Sequence, residues 1–387
     1  TCALPIWTIV YTTISIYLLL HIVNSIVPGR NAWEKHQMVY PRYPILVAHR
    51  GGRGIYAENT IEAMRISYNK YHVDLLECDV QITNDDHFVL LHDFWLNRTT
   101  NVTGRVIDYS LKELKSIDAG YWFTEDGVTY PLRGKGIAMT QLEEILDEFY
   151  QKDVRISIEL KDKTKHSVDK LIEVLQKYPG INKQVCIDCS YHPMQEYFRS
   201  KVGHTYCTEN DEIEGLQMGA SSLLGLSRLF YYLFPNNVEY FFAPYMSHLG
   251  FDILTDRFFY TLQEEMDVPF MYFTVNDEFE IARALGLGAK GILTDRPDIA
   301  HKVFTALNLR NVTVDNDPKY DHYHVKSPRT SWEFSSPTMK AVEFIGGNVP
   351  RPVISIVIIS IPVTLVVLFI AMISALLSLC SPKPKKA

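Results

Sequence analysis

Short apolar runs recur between residues 45 and 293, and longer segments of mixed polar and apolar residues separate them. Such runs, bounded by polar residues, predict buried strands, while the longer segments predict helices. Eight runs qualify as strands: 45–48, 75–82, 155–160, 185–187, 205–207, 240–243, 270–275 and 291–293. Eight strands that alternate with helices predict an α/β protein with a (β/α)8 TIM-barrel fold.

Helix-start and turn signals support this alternation. Asn59 is placed to cap one helix, and Thr140 with Glu143 forms a capping-box pattern at the start of another. The polar turn at 83–86 predicts that residues 88–91 fold back on the second strand as a hairpin. The predicted helices cover residues 59–71, 140–149, 168–177, 256–266 and 278–285.

Residues 94–139 depart from the alternating pattern. They are rich in Tyr, Trp, Gly and Pro and contain one short predicted helix at 111–117. We interpret them as an insertion after the second strand that lies over the mouth of a barrel domain at residues 40–308.

Two uncharged apolar segments lie outside the predicted barrel. Residues 7–27 have no formal charge, and neither do residues 353–380. A helix of about 20 residues spans roughly 30 Å, the thickness of the hydrocarbon core of a bilayer. We therefore predict transmembrane helices at 1–28 and 353–380, a linker at 309–352 and a basic tail at 381–387. The alternative for the first segment is a signal sequence.

Composition narrows the choice of partners. The chain has 387 residues and a net charge of −7, and no dense basic tract interrupts its middle, so nucleic-acid binding is not expected. The six cysteines show neither zinc-ligand spacing nor an assignable disulfide framework. We interpret Cys78, Cys186 and Cys189 as buried thiols.

Acidic residues follow the strand pattern. Glu77 and Asp79 are two residues apart on the second strand, so their side chains share one face, and the same holds for Glu159 and Lys161 on the next parallel strand. Three converging carboxylates with oxygen-only ligation favour Mg²⁺ or Ca²⁺. The alternative is a salt-bridged set that Lys161 and Arg50 neutralise.

Two histidines also stand at predicted strand ends, where barrels carry their chemistry. His49 follows the first strand and precedes Arg50, and His92 follows the hairpin strand and precedes Asp93. Imidazole titrates near neutral pH, so the pair suits general acid–base catalysis. Arg50 and Lys161 are candidate phosphate donors. The alternative for each histidine is a hydrogen-bonded core residue.

These motifs together resemble the glycerophosphodiester phosphodiesterase family over about residues 44–303. Seven motifs occur in the order found in the family: His49-Arg50-Gly51, Glu58-Asn59-Thr60, Glu77-x-Asp79, His92-Asp93, Thr99-Thr100 with Gly104, Glu159-x-Lys161, and Gly291-Ile292-x-Thr294-Asp295. The chain departs from the family in having Phe273 where Trp is frequent, and Asp86-His87 where Asp-Gly is usual.

The resemblance implies a TIM barrel with an insertion after its second strand and a metal-dependent diesterase site. The site members it implies are metal ligands Glu77, Asp79 and Glu159, general acid and base His49 and His92, phosphate contacts Arg50 and Lys161, and the orienting residue Glu58. The implied cofactor is Mg²⁺ or Ca²⁺.

The apolar ends and an apolar run at 223–234, followed by Tyr240-Phe241-Phe242, resemble membrane-bound family members that act as lysophospholipase D. We interpret the run as an acyl-chain groove or membrane-dipping patch near the barrel mouth; the alternative is a barrel helix that packs its core face. The expected substrate is a lysophospholipid or an N-acylethanolamine-type glycerophospholipid. Small water-soluble glycerophosphodiesters are the runner-up. A catalytically silent membrane scaffold and a phosphoinositide-specific phospholipase C-like enzyme are further alternatives.

Two membrane helices and a lysine-rich tail predict an integral membrane protein of the endoplasmic reticulum or another endomembrane, with cytosolic termini. The barrel would then lie in the lumen or outside the cell. Sequons at Asn97, Asn101 and Asn311 permit glycosylation on that side.

Overall fold

The computed structural model describes residues 3–27, 44–233, 238–244 and 268–310. The predicted helix 256–266, the linker beyond residue 310, the second membrane helix at 353–380 and the basic tail lie outside these residues.

The described strands close into a barrel. They are β1 (Ile45–Ala48), β2 (Leu75–Ile82), β3 (Phe88–Leu90), β4 (Arg155–Leu160), β5 (Val185–Cys189), β6 (Cys207–Glu209), β7 (Val238–Pro244), β8 (Phe270–Phe273) and β9 (Gly291–Thr294). Eight of them pair in parallel, and the ring closes because β1 pairs with both β2 and β9. Strand β3 pairs antiparallel with β2. The predicted barrel and hairpin are therefore confirmed.

Helices connect and cover the strands. They are α1 (Ala3–Ile26), α2 (Ile61–Tyr71), α3 (Leu111–Leu114), α4 (Leu142–Phe149), α5 (Lys165–Gln176), α6 (His192–Val202), α7 (Glu212–Leu224), α8 (Ser227–Leu233), α9 (Glu278–Gly286) and α10 (Pro297–Ala306). The N-terminal caps differ from the prediction by one residue. Thr60 caps α2 by accepting from the backbone N–H of Ala63, and Gln141 precedes α4.

Alternation along the strands divides the barrel into two chemical layers. Ile45 and Val47 face inward and pack with Leu75, Cys186 and Cys207 in a small apolar cluster. Alternate residues face outward into the main core beneath the helices. Positions further along the same inward faces are acidic, so the interior is apolar near the start of the strands and charged near their ends.

A disulfide joins Cys186 of β5 to Cys207 of β6, which are partners in the strand register. The prediction that Cys186 is a free thiol is therefore wrong, because neighbouring in-register strands bring two cysteines together that lie 21 residues apart in sequence. Cys78 and Cys189 are buried free thiols, as predicted.

Strands β5 and β6 each end two residues later than predicted, and this adds acidic residues to the interior. Strand β5 continues to Cys189 and so includes Asp188. Strand β6 begins at Cys207 rather than at residue 205 and ends at Glu209. Strand β8, in contrast, ends at Phe273, two residues early.

The insertion at 94–139 has an apolar cluster of its own, which packs on Val89 of β3 and Leu91 and includes Leu96, Val106 and Met139. Its short helix α3 ends at Leu114 rather than at residue 117. The insertion is thereby fixed to the hairpin strand that leads into His92.

Within the described ranges, no helix combines the length and the apolarity that crossing a bilayer requires. That finding does not support the membrane helix predicted for residues 1–28. The segment is helical, as α1, and one of its faces binds the barrel domain. Tyr17 donates to the carbonyl of Leu224 (3.1 Å), and Asn24 donates to that of Gly225 (3.2 Å) and accepts from the N–H of Leu229 (2.8 Å).

These contacts also place the apolar run at 223–234. Helix α7 starts after the carboxyl end of β6 and runs for 13 residues, which is about 20 Å of helix. Its last turn, which contacts α1, therefore lies away from the strand ends. The prediction that this run lies near the barrel mouth is not borne out, since its described part packs with α1.

A buried ion pair between α6 and α7 gives a test of the fold. The guanidinium of Arg199 donates to both carboxylate oxygens of Glu214 (2.5 and 3.1 Å) and to the carbonyl of Glu209 (3.1 Å). Arg199→Ala should lower the free energy of unfolding by about 3–5 kcal/mol, because it leaves a buried carboxylate without its partner. Urea unfolding measures the loss.

The matched control is the double variant Arg199→Met/Glu214→Leu, which removes both charges and keeps the volume. It should recover most of the lost stability, since no unpaired charge remains buried. An equal loss in both variants would contradict the electrostatic explanation and point to packing alone.

Candidate active site

Three carboxylates meet at the carboxyl ends of β2 and β4. Asp79 and Glu159 are register partners on these strands, and Glu77 lies on the same face of β2. One oxygen from each of the three lies within 4.8 Å of the others. Glu77 and Asp79 are buried, and Glu159 is half-buried. The predicted convergence of the three acidic residues is confirmed.

The cluster itself contains only carboxylates, so no positive charge within it neutralises their negative charge. Burial, followed by the charges of Asp79 and Glu159, raises the pKa of Glu77 well above its usual range. Burial also opposes ionisation of Asp79, but Lys161 and Arg50 outweigh it and lower the pKa of this carboxyl. An oxygen-only donor set with surplus negative charge fits a hard divalent cation.

Arg50 braces the cluster from the turn after β1. Its backbone N–H donates to Glu77 (2.5 Å), and its Nε lies 3.5 Å from Asp79 Oδ2. Its φ of +52° is unusual for a residue with a side chain. Gly51 follows with a φ of +76°, and a Cβ there would lie 3.0 Å from Met64 Cγ. The glycine therefore lets the turn pack tightly against α2.

Lys161 lies among the carboxylates. Its Nζ is 2.9 Å from Asp79 Oδ1 and contacts Glu159. Burial opposes its charge, but Asp79 and Glu159 raise the pKa of the ammonium above its ordinary value. The salt-bridged arrangement considered from the sequence is thus present beside the carboxylate cluster, and the two interpretations describe the same residues.

Each predicted catalytic histidine has its own carboxylate partner. His49 Nδ1 lies 2.6 Å from Asp295 Oδ1, at the end of β9. The Nε of Arg50 donates to His49 Nε2 (3.2 Å). Since a guanidinium only donates, Nε2 accepts, and the ring proton of neutral His49 resides on Nδ1. Asn276 donates to Asp295 (2.9 Å) and fixes the carboxylate.

The second pair consists of His92 and Asp93. His92 Nδ1 lies 2.7 Å from Asp93 Oδ1, and Arg98 donates to Asp93 through Nε (2.5 Å) and Nη2 (3.2 Å). Burial opposes ionisation of Asp93, but Arg98 and His92 lower its pKa to about 2. His92 is one of the charges that lower the pKa of Asp79, which links this pair to the carboxylate cluster.

Glu58 connects the two halves of the site. It accepts from Arg50 Nη1 (3.0 Å) and from the two terminal nitrogens of Arg98, Nη1 (2.9 Å) and Nη2 (2.6 Å). Burial opposes its ionisation, but Arg98 and Arg50 lower its pKa. Glu58 thus bridges two arginines, one beside each histidine, and its orienting role stays a prediction.

Sequence reasoning missed several residues that the fold brings to the site. Asn59, predicted as a helix cap and part of a family motif without an assigned role, donates to Asp79 Oδ2 (2.8 Å) and accepts from the N–H of Asp79 (3.2 Å). Arg98 directly precedes the Thr99-Thr100 motif, and this motif is the sequence feature that could have identified Arg98 as a site residue. Asp295 belonged to a quoted motif without an assigned role.

Two further acidic residues border the cluster on β5 and β6. Asp188 is the register partner of Glu159, and burial and Glu159 raise its pKa well above the usual range. Burial raises the pKa of Glu209 to about 7, although this carboxyl accepts from Ser157 Oγ (2.5 Å). No sequence signal marked either residue, because both lie beyond the predicted strand ends or outside any quoted motif.

Comparisons with known proteins agree with this geometry. The model of the glycerophosphoryl diester phosphodiesterase family matches residues 49–299. A glycerophosphodiester phosphodiesterase of Bacillus subtilis is 29% identical over 302 residues, covering 74% of this chain and 95% of the relative. One from Bacillus altitudinis is 31% identical over 278 residues, covering 67% and 97%. Human lysophospholipase D GDPD3 is 25% identical over 290 residues, covering 68% and 86%.

Solved structures share the fold. The glycerophosphoryl diester phosphodiesterase domain of a Mycobacterium tuberculosis protein superposes with a TM-score of 0.58 at 19% identity, covering 67% of this chain and 99% of the domain. An Oleispira antarctica phosphodiesterase in complex with sn-glycerol-3-phosphate gives a TM-score of 0.51 at 19% identity, covering 68% and 97%. The chain therefore belongs to the glycerophosphoryl diester phosphodiesterase family and is a phosphoric diester hydrolase.

Proposed function

We propose that this hydrolase acts as a lysophospholipase D, which releases the head-group alcohol and lysophosphatidic acid from a lysophospholipid. The observation that carries the lipid preference is the outward face of α1, where five large apolar residues are each more than half exposed: Tyr11, Ile16, Leu19, Ile22 and Ile26. An apolar surface of this kind suits a protein that works at a lipid surface. Similarity to the human lysophospholipase D supports the same substrate class.

The catalytic roles follow from the two histidine–carboxylate pairs. His49 and His92 each have Nδ1 directed at a carboxylate, so each uses Nε2 for proton transfer. In His49 this nitrogen exchanges its hydrogen bond from Arg50 Nε for the reacting proton. One imidazole accepts the proton of the nucleophile as its oxygen bonds to phosphorus. Water as the nucleophile gives lysophosphatidic acid directly, whereas a neighbouring hydroxyl of the substrate gives a cyclic phosphate that water then opens. The other donates a proton to the head-group oxygen as its bond to phosphorus breaks.

The remaining site residues are assigned to the divalent cation and to the phosphate of the substrate. Glu77, Asp79 and Glu159 would hold a divalent cation, Mg²⁺ or Ca²⁺, and such a cation supplies positive charge to the phosphate oxygens when bound. Arg50 and Lys161 donate to the phosphate as its negative charge builds up. Glu58 and Arg98 keep the guanidinium of Arg50 and the Asp93–His92 pair in position.

The acid–base role predicts a large loss in His92→Ala. Hydrolysis of glycerophosphocholine by this variant should fall by about 10²–10⁴-fold in kcat, because a positioned proton-transfer group contributes on that order. EDTA should abolish the wild-type reaction, and adding back Mg²⁺ or Ca²⁺ should restore it. Release of glycerol 3-phosphate is the measurement.

His166→Ala is the matched control, since His166 pairs with Asp86 on the surface at 2.6 Å and lies outside the site. It should retain wild-type kcat. If both histidine variants lose activity equally, or if EDTA has no effect, the assigned roles are wrong.

The lipid preference has its own test, which separates it from the runner-up substrate. Detergent-solubilised wild-type protein should release choline and lysophosphatidic acid from lysophosphatidylcholine, and kcat/KM should exceed that for glycerophosphocholine by at least about ten-fold, the equivalent of two well-buried methylenes. Mass spectrometry of the products measures both reactions. Cleavage of glycerophosphocholine alone would move the function to small water-soluble diesters.

We also propose that the barrel lies in the lumen of the endoplasmic reticulum or of another endomembrane. The Cys186–Cys207 disulfide supports an oxidising compartment. The exposed sequon residues Asn97 and Asn101 are accessible to glycosylation there. The outward face of α1 supplies the contact with the membrane.

This location predicts both a modification and a fractionation result. Protein made in the presence of microsomes should pellet with the membranes and migrate faster after endoglycosidase treatment. Asn97→Gln/Asn101→Gln should remove the part of the mobility shift that these sequons cause. Soluble protein without a shift, in which Cys186 is open to alkylation, would place the barrel in the cytosol instead.

A further inference from the structure

Two exposed aromatic residues lie next to the catalytic machinery. Phe94 and Trp95 follow His92-Asp93 directly, and their side chains are 58% and 53% exposed. Burying such rings is normally a large source of stability, since each covers about 150–250 Å². Two of them left in solvent beside an active site mark a contact surface.

The backbone that carries the pair is fixed on both sides. On one side, Arg98 holds Asp93 through two hydrogen bonds. On the other, the side chain of Leu96 is fully buried, and its N–H donates to the carbonyl of Gly104 (2.9 Å). The two aromatic residues are thus confined to the short exposed stretch between these anchors.

The rings are also ordered relative to each other. They meet edge to face, with centroids 5.6 Å apart. The guanidinium of Arg105 lies 5.6 Å from the centroid of Phe94 and is itself bound to Asp108 by its Nη2 (2.6 Å) and Nε (3.0 Å). The pair therefore offers a preformed apolar surface, and a ligand that covers it pays little ordering entropy.

We propose that Phe94 and Trp95 form the contact surface for the acyl chain of the lysophospholipid that is being cleaved. The inference rests on the proposed lysophospholipase D function and deepens it. The proposed roles place the phosphate between His92 and the three carboxylates, so the acyl chain, joined through glycerol, leaves past the residues that surround His92. The loop that carries His92 offers two exposed aromatic rings for that chain to contact.

The surface consists of only two side chains and adjoins His92. Its size and position therefore suit the chain of one substrate molecule rather than a bilayer. Full burial of one methylene is worth about four-fold in affinity, and contact on one open side about two-fold. With lysophosphatidylcholines from hexanoyl to dodecanoyl, kept below their micelle-forming concentrations, wild-type kcat/KM should rise about two-fold per methylene.

The test compares the wild type with Phe94→Ser/Trp95→Ser across this series, with kcat/KM divided by that for glycerophosphocholine. In the variant the rise per methylene should disappear. Tyr232→Ser/Leu233→Ser is the matched control, since these residues of α8 are 63% and 58% exposed and lie next to α1. It should retain the wild-type slope. Phe94→Leu/Trp95→Leu, which keeps the apolar surface, should retain most of it and guards against misfolding of the serine variant.

A wild-type slope in the serine variant would overturn the inference. It would also be overturned if the variant lost activity only on micelles or vesicles, because the pair would then serve the membrane and not the single chain. Failure of the proposed function gives a different result: the wild type itself would cleave glycerophosphocholine and no lysophosphatidylcholine of any length.

Discussion

Repulsion among three carboxylates organises the site. Strands β2 and β4 bring Glu77, Asp79 and Glu159 within 4.8 Å of one another, at the end of a barrel interior whose other end is apolar. The barrel tolerates this because Arg50 and Lys161 approach from two sides. The negative charge that remains is what a divalent cation would neutralise. The same constraint therefore explains the placement of Arg50 and Lys161 and fits the oxygen-ligand chemistry of such a cation.

The two histidines depend on that centre and on each other. His49 is fixed by Asp295 from β9, and His92 by Asp93, which Arg98 holds. Glu58 joins the two halves by accepting from Arg50 and Arg98. A continuous chain of hydrogen bonds therefore joins the two imidazoles through Arg50, Glu58, Arg98 and Asp93.

The apolar surface that a lipid substrate needs is distributed over several parts of the molecule. The sequence pattern assigned it to the run at 223–234, but the described part of that run lies on α7 and α8 against α1. Within that run Tyr232 and Leu233 stay exposed, and further exposed apolar residues occur on the outward face of α1 and at Phe94 and Trp95. Hydrophobicity along the chain predicts that a segment avoids water, whereas only packing decides what covers it.

The sequence by itself determined the barrel, the hairpin after β2 and the convergence of Glu77, Asp79 and Glu159, because these follow from periods of two along strands and from the common direction of parallel strand ends. Tertiary structure alone decided the Cys186–Cys207 bond, the inward acidic residues Asp188 and Glu209, and the part that Asn59 and Arg98 play in the site. Those contacts join positions distant in sequence or at element ends, where register and exact strand length are set by the closed barrel and not by local pattern.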